Sequence, residues 1–356
     1  MLAGGKVNAE RVFLVSAFCI AVGTLYSVAP EFKYFFYIGS LIAPIALLST
    51  GLARNNVNTF LPLLVFSLMY IIWVGMSSPE GMKEGAITLL VLISLSFYPK
   101  RIWCHSNIDI AFKIFVLINV VWLACVDWAG RIDFSDSRYP SEHAMFAPIF
   151  MFFAIYYFRH NKIFFIISTV LCFLAFKRIV LVALLLGLII KLVRPPLSRS
   201  TFPLAVFVLL GIVISVYMRI PEVIYDDYSD DYLNYLTQGR YYFISQLLYE
   251  MKSIAGTLDY LFGFGPGFTS TFMKESHTLP TVLTNIHSDI LKVVLEFGLV
   301  GFVIFFTSFI AMLKQPNSYC LLLPFCLALV TDNFLIYLPV MYVLFILLAA
   351  EELECD

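Results

Sequence analysis

Apolar segments long enough to cross a bilayer follow one another along almost the whole chain, and this feature leaves it few folds. A hydrocarbon core is about 30 Å thick, so a straight helical crossing takes roughly 20 apolar residues. Within it every backbone N–H and C=O must be paired inside the protein, so such a chain reads as bilayer-embedded helices rather than one anchor on a soluble body. Composition agrees: 61% of the 356 residues are apolar and 13% are charged, against about 25% charged in soluble domains. The mean hydropathy is +0.89, and 35 Phe with 20 Tyr suit lipid-facing surfaces and interfacial belts. A net charge of −1 carries no signature of nucleic-acid binding.

The expected fold is all-α, a polytopic helix bundle. Spans are expected at about 11–29, 34–52, 60–77, 85–98, 108–129, 144–158, 163–176, 179–193, 201–218, 289–313, 318–332 and 334–350. Twelve is the working number and eleven the rival, because 163–193 reads as either a hairpin or a broken helix. Lys6 and Arg11 precede an apolar stretch as in a secretory signal, but the run is long and ends without a clear small-residue cleavage site, so it is read as the first span.

Charge sets the expected orientation. With the N-terminus inside, the inner connections hold Arg54, Lys100, Arg101, His105, Arg159, His160, Lys162, Lys191, Arg194 and Lys314, while acids such as Glu31, Glu80, Glu84, Asp133 and Glu142 crowd the outer ones. Basic residues favour the cytoplasmic side. Residues 1–218 thus form the first nine spans, 219–288 one long external loop, and 289–356 three more spans with a short cytoplasmic tail.

Within the loop, Glu222, Asp226, Asp227, Asp230 and Asp231 make a solvated acidic surface. From Arg240 to Phe262, apolar residues recur at three- and four-residue steps, which predicts an amphipathic helix along the outer membrane boundary. It stops at Gly263, Gly265, Pro266 and Gly267, where proline ends helical pairing. This glycine stretch lacks the Lys-Ser/Thr of a phosphate loop and reads as a tight turn folding the loop over the membrane mouth.

Neither a disulfide framework nor a metal is expected. Of the seven cysteines, none falls in the long loop and none has zinc spacing. Glu275, His277 and His287 match no ligand pattern, and the acids at 226–231 lack the alternation and glycine of a calcium loop.

Two constellations carry potential chemistry. His287 stands where the polar loop enters an apolar helix, and an imidazole titrating near pH 6.5 is suited to taking a proton from an acceptor hydroxyl. Asn285, Ser288 and Asp289 are placed to fix its tautomer or hold the acceptor. The competing reading makes His287 a capping or interfacial residue and Asp289 a favourable charge at a helix start. Glu296, nine residues on, reads as a structural partner within the bundle, since an acid in an apolar helix calls for a specific partner. The second constellation is cationic. Lys177 and Arg178 lie at an external helix end, where the charge rule disfavours them, so a negative group is expected to compensate. A diphosphate fits, because guanidinium binds phosphate oxygens bidentately and stays charged. Arg131, Arg138, Arg219 and Arg240 lie on the same side, with Arg178 and Arg240 at junctions between polar segment and helix. Snorkelling to lipid headgroups is the alternative.

The run His287, Leu291, Glu296, Gly298 and Gly301, preceded by Gly263, Gly265 and Gly267 and by one long external loop, resembles the O-antigen ligase and O-antigen polymerase superfamily of bacterial envelope enzymes. The likeness extends from about Arg178 to Leu348. It implies an inverting glycosyltransferase without cofactor or metal, in the bacterial inner membrane with its active site facing the periplasm. The implied donor is an undecaprenyl-diphosphate-linked oligosaccharide and the acceptor a lipid-linked glycan or the lipid A core, with a chain-length regulator as an open question. His287 would activate the acceptor hydroxyl, while Arg178 and Arg240, with Lys177, would hold the diphosphate. Lys177 stands where family members often have serine, so the arginine of that pair carries over and the serine does not; Ser288 stands where ligases often have asparagine, and this second difference turns the reading toward a polymerase. A ligase is the second expectation. A transporter or flippase is the third, disfavoured because charges gather at the outer mouth and no repeat relates two halves.

Overall fold

A computed structural model describes residues 9–48, 102, 104–127, 145–175, 177–193, 201, 208, 244, 247–248, 251–275, 286, 288–312, 318–332, 334–335 and 337–353. The spans expected at 60–77 and 85–98, and most of that at 201–218, lie outside them. Among the described residues every regular element is helical and no strand occurs. The helices are α1 (Ala9–Gly23), α2 (Lys33–Leu48), α3 (His105–Asp127), α4 (Phe146–His160), α5 (Lys162–Leu174), α6 (Arg178–Val193), α7 (Thr257–Phe262), α8 (Phe268–Glu275), α9 (Asp289–Met312), α10 (Tyr319–Thr331) and α11 (Leu338–Leu353). Three stretches among them have the length and hydropathy to cross a membrane: Ala9–Ser27, His105–Cys125 and Asp289–Thr307.

Local sequence explains several boundaries. Pro30 opens the 3-10 turn Pro30–Phe32 that leads into α2, a position where its missing N–H costs no helical bond. Asn161 separates α4 from α5, and its side-chain oxygen accepts the N–H groups of Ile163 at 3.0 Å and Phe164 at 3.2 Å, satisfying two donors at the start of α5. The 163–193 region is therefore two helices, α5 against α4 and α6 against α10. Gly187 permits that second approach: a Cβ there would lie 2.4 Å from Ile155 Cδ1 and 2.9 Å from the Cys320 carbonyl oxygen.

The core centres on α4, where every residue from Phe146 to Tyr157 is buried. Phe112 of α3 meets Phe153 and Tyr157 of α4 with ring centroids 5.1 Å apart, and Phe164 of α5 at 5.0 Å, within the range of favourable aromatic pairing. Outward faces are as apolar as the core. On α6, Val182, Leu185 and Ile189 are exposed while Val180, Ala183, Leu184 and Gly187 are buried, so this helix is apolar on its outward face as well as its inward one.

The expected loop helix differs from its prediction. Residues 251–254 are helical, Ala255 and Gly256 are not, and α7 starts afresh at Thr257. Gly256 is extended, and its N–H donates to Asp259 Oδ2 at 2.9 Å. Glycine is a poor helix interior residue, and the acid three positions on rewards a new helix start. The apolar face is divided accordingly: Ile244, Leu247 and Met251 are buried, whereas Ile254, Leu258 and Leu261 are exposed.

Candidate functional site

Three helix junctions converge at one end of the bundle. Lys177 lies just before α6, and its carbonyl accepts the N–H groups of Val180 at 3.0 Å and Leu181 at 3.1 Å. Its side chain is 7% exposed and forms an ion pair with the carboxylate of Asp332, in the turn between α10 and α11. The ammonium also lies 5.5 Å from the ring centre of Phe334 and 5.8 Å from that of Tyr337, where aromatic faces add attraction for a cation. A buried ammonium without such partners would be strongly disfavoured. The negative group expected beside Lys177 is thus supplied, for this residue, from within the chain.

Asp332 also reaches the third junction. The backbone N–H of Asp289, at the start of α9, donates to the Asp332 carbonyl at 3.1 Å. Asp289 Oδ2 in turn accepts the N–H of Leu335 at 2.8 Å, and Asp289 is 1% exposed. Ser288 caps α9, its Oγ accepting the N–H of Leu291 at 3.3 Å, as expected of a serine at a helix start. Lys292, one turn further, is buried as well. The Lys177–Arg178 junction and the Ser288–Asp289 junction, remote from each other in sequence, therefore share one residue, Asp332.

Arg178, first residue of α6, is exposed, and among the described residues no acceptor bonds its guanidinium. It is the free cation of this end among the residues singled out from sequence that can be described. His287, Asn285, Arg138, Arg219 and Arg240 lie outside the described residues, as do Arg131 and His277; position 287 directly precedes Ser288.

Glu296 faces a different task. It is fully buried and accepts the Thr269 N–H at 3.4 Å together with a hydrogen bond from the Thr269 hydroxyl. Helix α9 breaks two residues later at Gly298 (φ 66°, ψ −172°). The break leaves helical carbonyls to other donors: Leu295 O accepts the N–H of Phe264 at 3.0 Å and Glu296 O that of Gly265 at 2.9 Å. Gly263 and Gly298 lie against each other, both at positive φ, a region costly for residues with a Cβ. A Cβ on Gly298 would lie 2.4 Å from the Leu261 carbonyl, and one on Gly263 2.3 Å from that of Glu296. The glycine turn is thus seated in the break of α9.

Between α7, α9 and the segment around Met251 opens an apolar cleft of about 200 Å³, lined by Ile244, Leu248, Met251, Leu291 and Leu295. Ser288 and Val330 border it, so it abuts the Asp332 junction. Chemically, this end combines a fixed buried ion pair, an exposed guanidinium at a helix N-terminus, the start of a second helix and an apolar recess. Such an arrangement suits an anionic group carried on an apolar chain. Among the described residues no cluster of His, Cys, Asp and Glu could hold a metal ion.

Sequence reasoning passed over Asp332 and Lys292. A signal for Asp332 existed: a lone acid between two apolar spans, on the side assigned to Lys177. No family model matches this chain, and no curated protein matches it in sequence.

Proposed function

We infer that the chain is a polysaccharide polymerase of the bacterial inner membrane, crossing it about twelve times with 219–288 on the periplasmic side. It would transfer an undecaprenyl-diphosphate-linked glycan onto a lipid-linked repeat unit. The observation that carries this reading is the meeting of the Lys177–Arg178 and Ser288–Asp289 junctions through Asp332, since a donor diphosphate and an acceptor base must act on one anomeric carbon. The apolar cleft beside Ser288 and the motif of residues 287–301 support it further.

In this mechanism His287 accepts the proton of the acceptor hydroxyl as its oxygen attacks the anomeric carbon. The bond from that carbon to the diphosphate oxygen breaks, and the diphosphate leaves with the electron pair. Arg178 and Arg240 neutralise the charge that develops on it, a role in which fixed cations in a water-poor site are most effective. The two glycan-bearing lipids approach from opposite faces of the sugar, which inverts the configuration. The reaction needs no nucleotide sugar and no metal, because the arginines supply the positive charge.

The test is a His287→Ala substitution in cells lacking the native gene, with protein levels followed by immunoblot and surface glycan by gel profile. A polymerase predicts normal membrane levels and single-repeat caps on the lipopolysaccharide. Complete loss of attached glycan with long lipid-linked chains retained would assign a ligase, and a normal profile would overturn the catalytic role of His287.

A further inference from the structure

The end of the bundle opposite the candidate site holds a second buried ionic cluster that sugar transfer does not use. Lys191 of α6 donates to Glu351 Oε1 of α11 at 2.8 Å and to the Tyr156 carbonyl of α4 at 3.1 Å. Both charges are buried, at 8% and 1% exposure. Arg159 closes over them by donating to the Lys191 carbonyl. His160 Nε2 lies 4.0 Å from the same Glu351 oxygen. Its ring is 5.0 Å, centre to centre, from that of His105, whose Nδ1 shares a hydrogen bond with the Tyr156 hydroxyl at 2.6 Å. Glu351 is therefore one carboxylate between two potential cations, one permanent and one that depends on pH.

The surroundings decide which protonation state of His160 fits. From α3 come His105 and Asp109, the latter accepting from the Tyr157 hydroxyl at 2.7 Å. From α4 come Arg159, Tyr156 and Tyr157, from α5 the exposed Lys162, from α6 Lys191, from α10 Cys320 and from α11 Glu351. Helix α1 runs parallel to α3, since Trp122 Nε1 bonds Ser27 Oγ at 2.9 Å near the far ends of both, so Glu10 and Arg11 belong to this end too. Glu351 is already neutralised by the closer Lys191, so a proton on His160 adds a net positive charge beside Lys191 and His105. Burial, Lys191 and His105 together hold the His160 imidazole below its ordinary range. The sign follows: the closed cluster is intact above the ordinary imidazole value near pH 6.5 and weakens as pH falls below it.

We propose that this cluster is a proton-operated latch, in which neutral His160 lets the Lys191–Glu351 pair clamp the last turn of α11 to α4 and α6, and protonated His160 releases it. The device is independent of the sugar-transfer reading, but it acts on α6 and α11, the helices whose other ends flank Lys177 and Asp332. A drop in pH on the face it adjoins would loosen the bundle from that side.

Hydrogen exchange of the last turn of α11 in the full chain, held in phospholipid nanodiscs between pH 7.5 and 5, tests the proposal. After correction for the intrinsic pH dependence of exchange, opening should rise by up to about tenfold per pH unit below about 6.5. His160→Gln should abolish the rise. His105→Gln, which removes one repulsive neighbour, should make it level off at a higher pH and a smaller total increase. A flat wild-type profile, or an unchanged rise in His160→Gln, overturns the latch. If His160→Gln does not fold, His105→Gln decides, and a total increase down to pH 5 identical to wild type overturns it.

Discussion

Lys177 and Asp332 form a buried ion pair at the point where α6 begins and α10 gives way to α11. Through its own carbonyl, Asp332 also holds the N–H of Asp289 at 3.1 Å, so one acid in a short turn sets the distance between two segments remote in sequence. Removing one member strands the other charge in an apolar environment, which in buried pairs costs about 3–5 kcal/mol. Asp332→Ala and Lys177→Ala should each lower the thermal midpoint of the detergent-solubilised protein strongly. The double substitution Lys177→Met with Asp332→Leu should recover most of the loss. Equal loss in single and double variants would show that the pair itself, not the stranded charge, sets stability.

The glycine turn depends on the break in α9. Gly298→Ala introduces a Cβ 2.4 Å from the Leu261 carbonyl at a φ of +66°, and backbone strain of this kind costs about 1–3 kcal/mol before any steric displacement. The expected outcome is undocking of residues 257–267, read as faster limited proteolysis there than in wild type. Cleavage rates equal to wild type would show that the turn is held by other contacts.

Glu296 and Thr269 give a milder perturbation of the same contact. Thr269→Val removes the hydroxyl donor from a buried carboxylate, a change worth about 1–3 kcal/mol. Thr269→Ser keeps the donor and should stay near wild type in a thermal-shift series. A Ser variant as damaged as Val would mean that the threonine methyl, not its hydroxyl, matters.

Arg178 is predicted to act on donor use rather than on folding, because its side chain is exposed. Losing one charge-assisted hydrogen bond of ~1.5–3 kcal/mol corresponds to about 10- to 100-fold in kcat/KM for the lipid-linked donor. Arg178→Lys should fall between wild type and Arg178→Ala, since a point charge lacks the two-pronged geometry. Full activity in Arg178→Ala would remove it from the site.

Much of this organisation could be read from hydropathy and charge, because both are summed over many residues. Lys177 and Asp289, expected on one side from the basic bias, meet through Asp332 at one end of the bundle, and His105, Arg159, His160 and Lys191, expected on the other side, meet at the opposite end. The break in the loop helix was harder to see. Ala255 and Gly256 interrupt an apolar period that continues across them, so the pattern reads as one helix although Gly256 and Asp259 begin a second. Asp332 escaped because its importance lies in two partners far away in sequence, Asp289 and Lys177, and no local period reports a contact of that range.

Helix α4 has no side for lipid, since Phe146 to Tyr157 are enclosed by protein on every face. Its hydropathy, the property by which a segment enters a bilayer, is in its final setting a by-product of shape. Once inserted it must be wrapped by α3, α5, α6 and α11, so a chain cut short before the last of these would present a bare aromatic column. Such fragments should cluster or be degraded instead of persisting as smaller bundles, because the enclosure of α4 waits on α11.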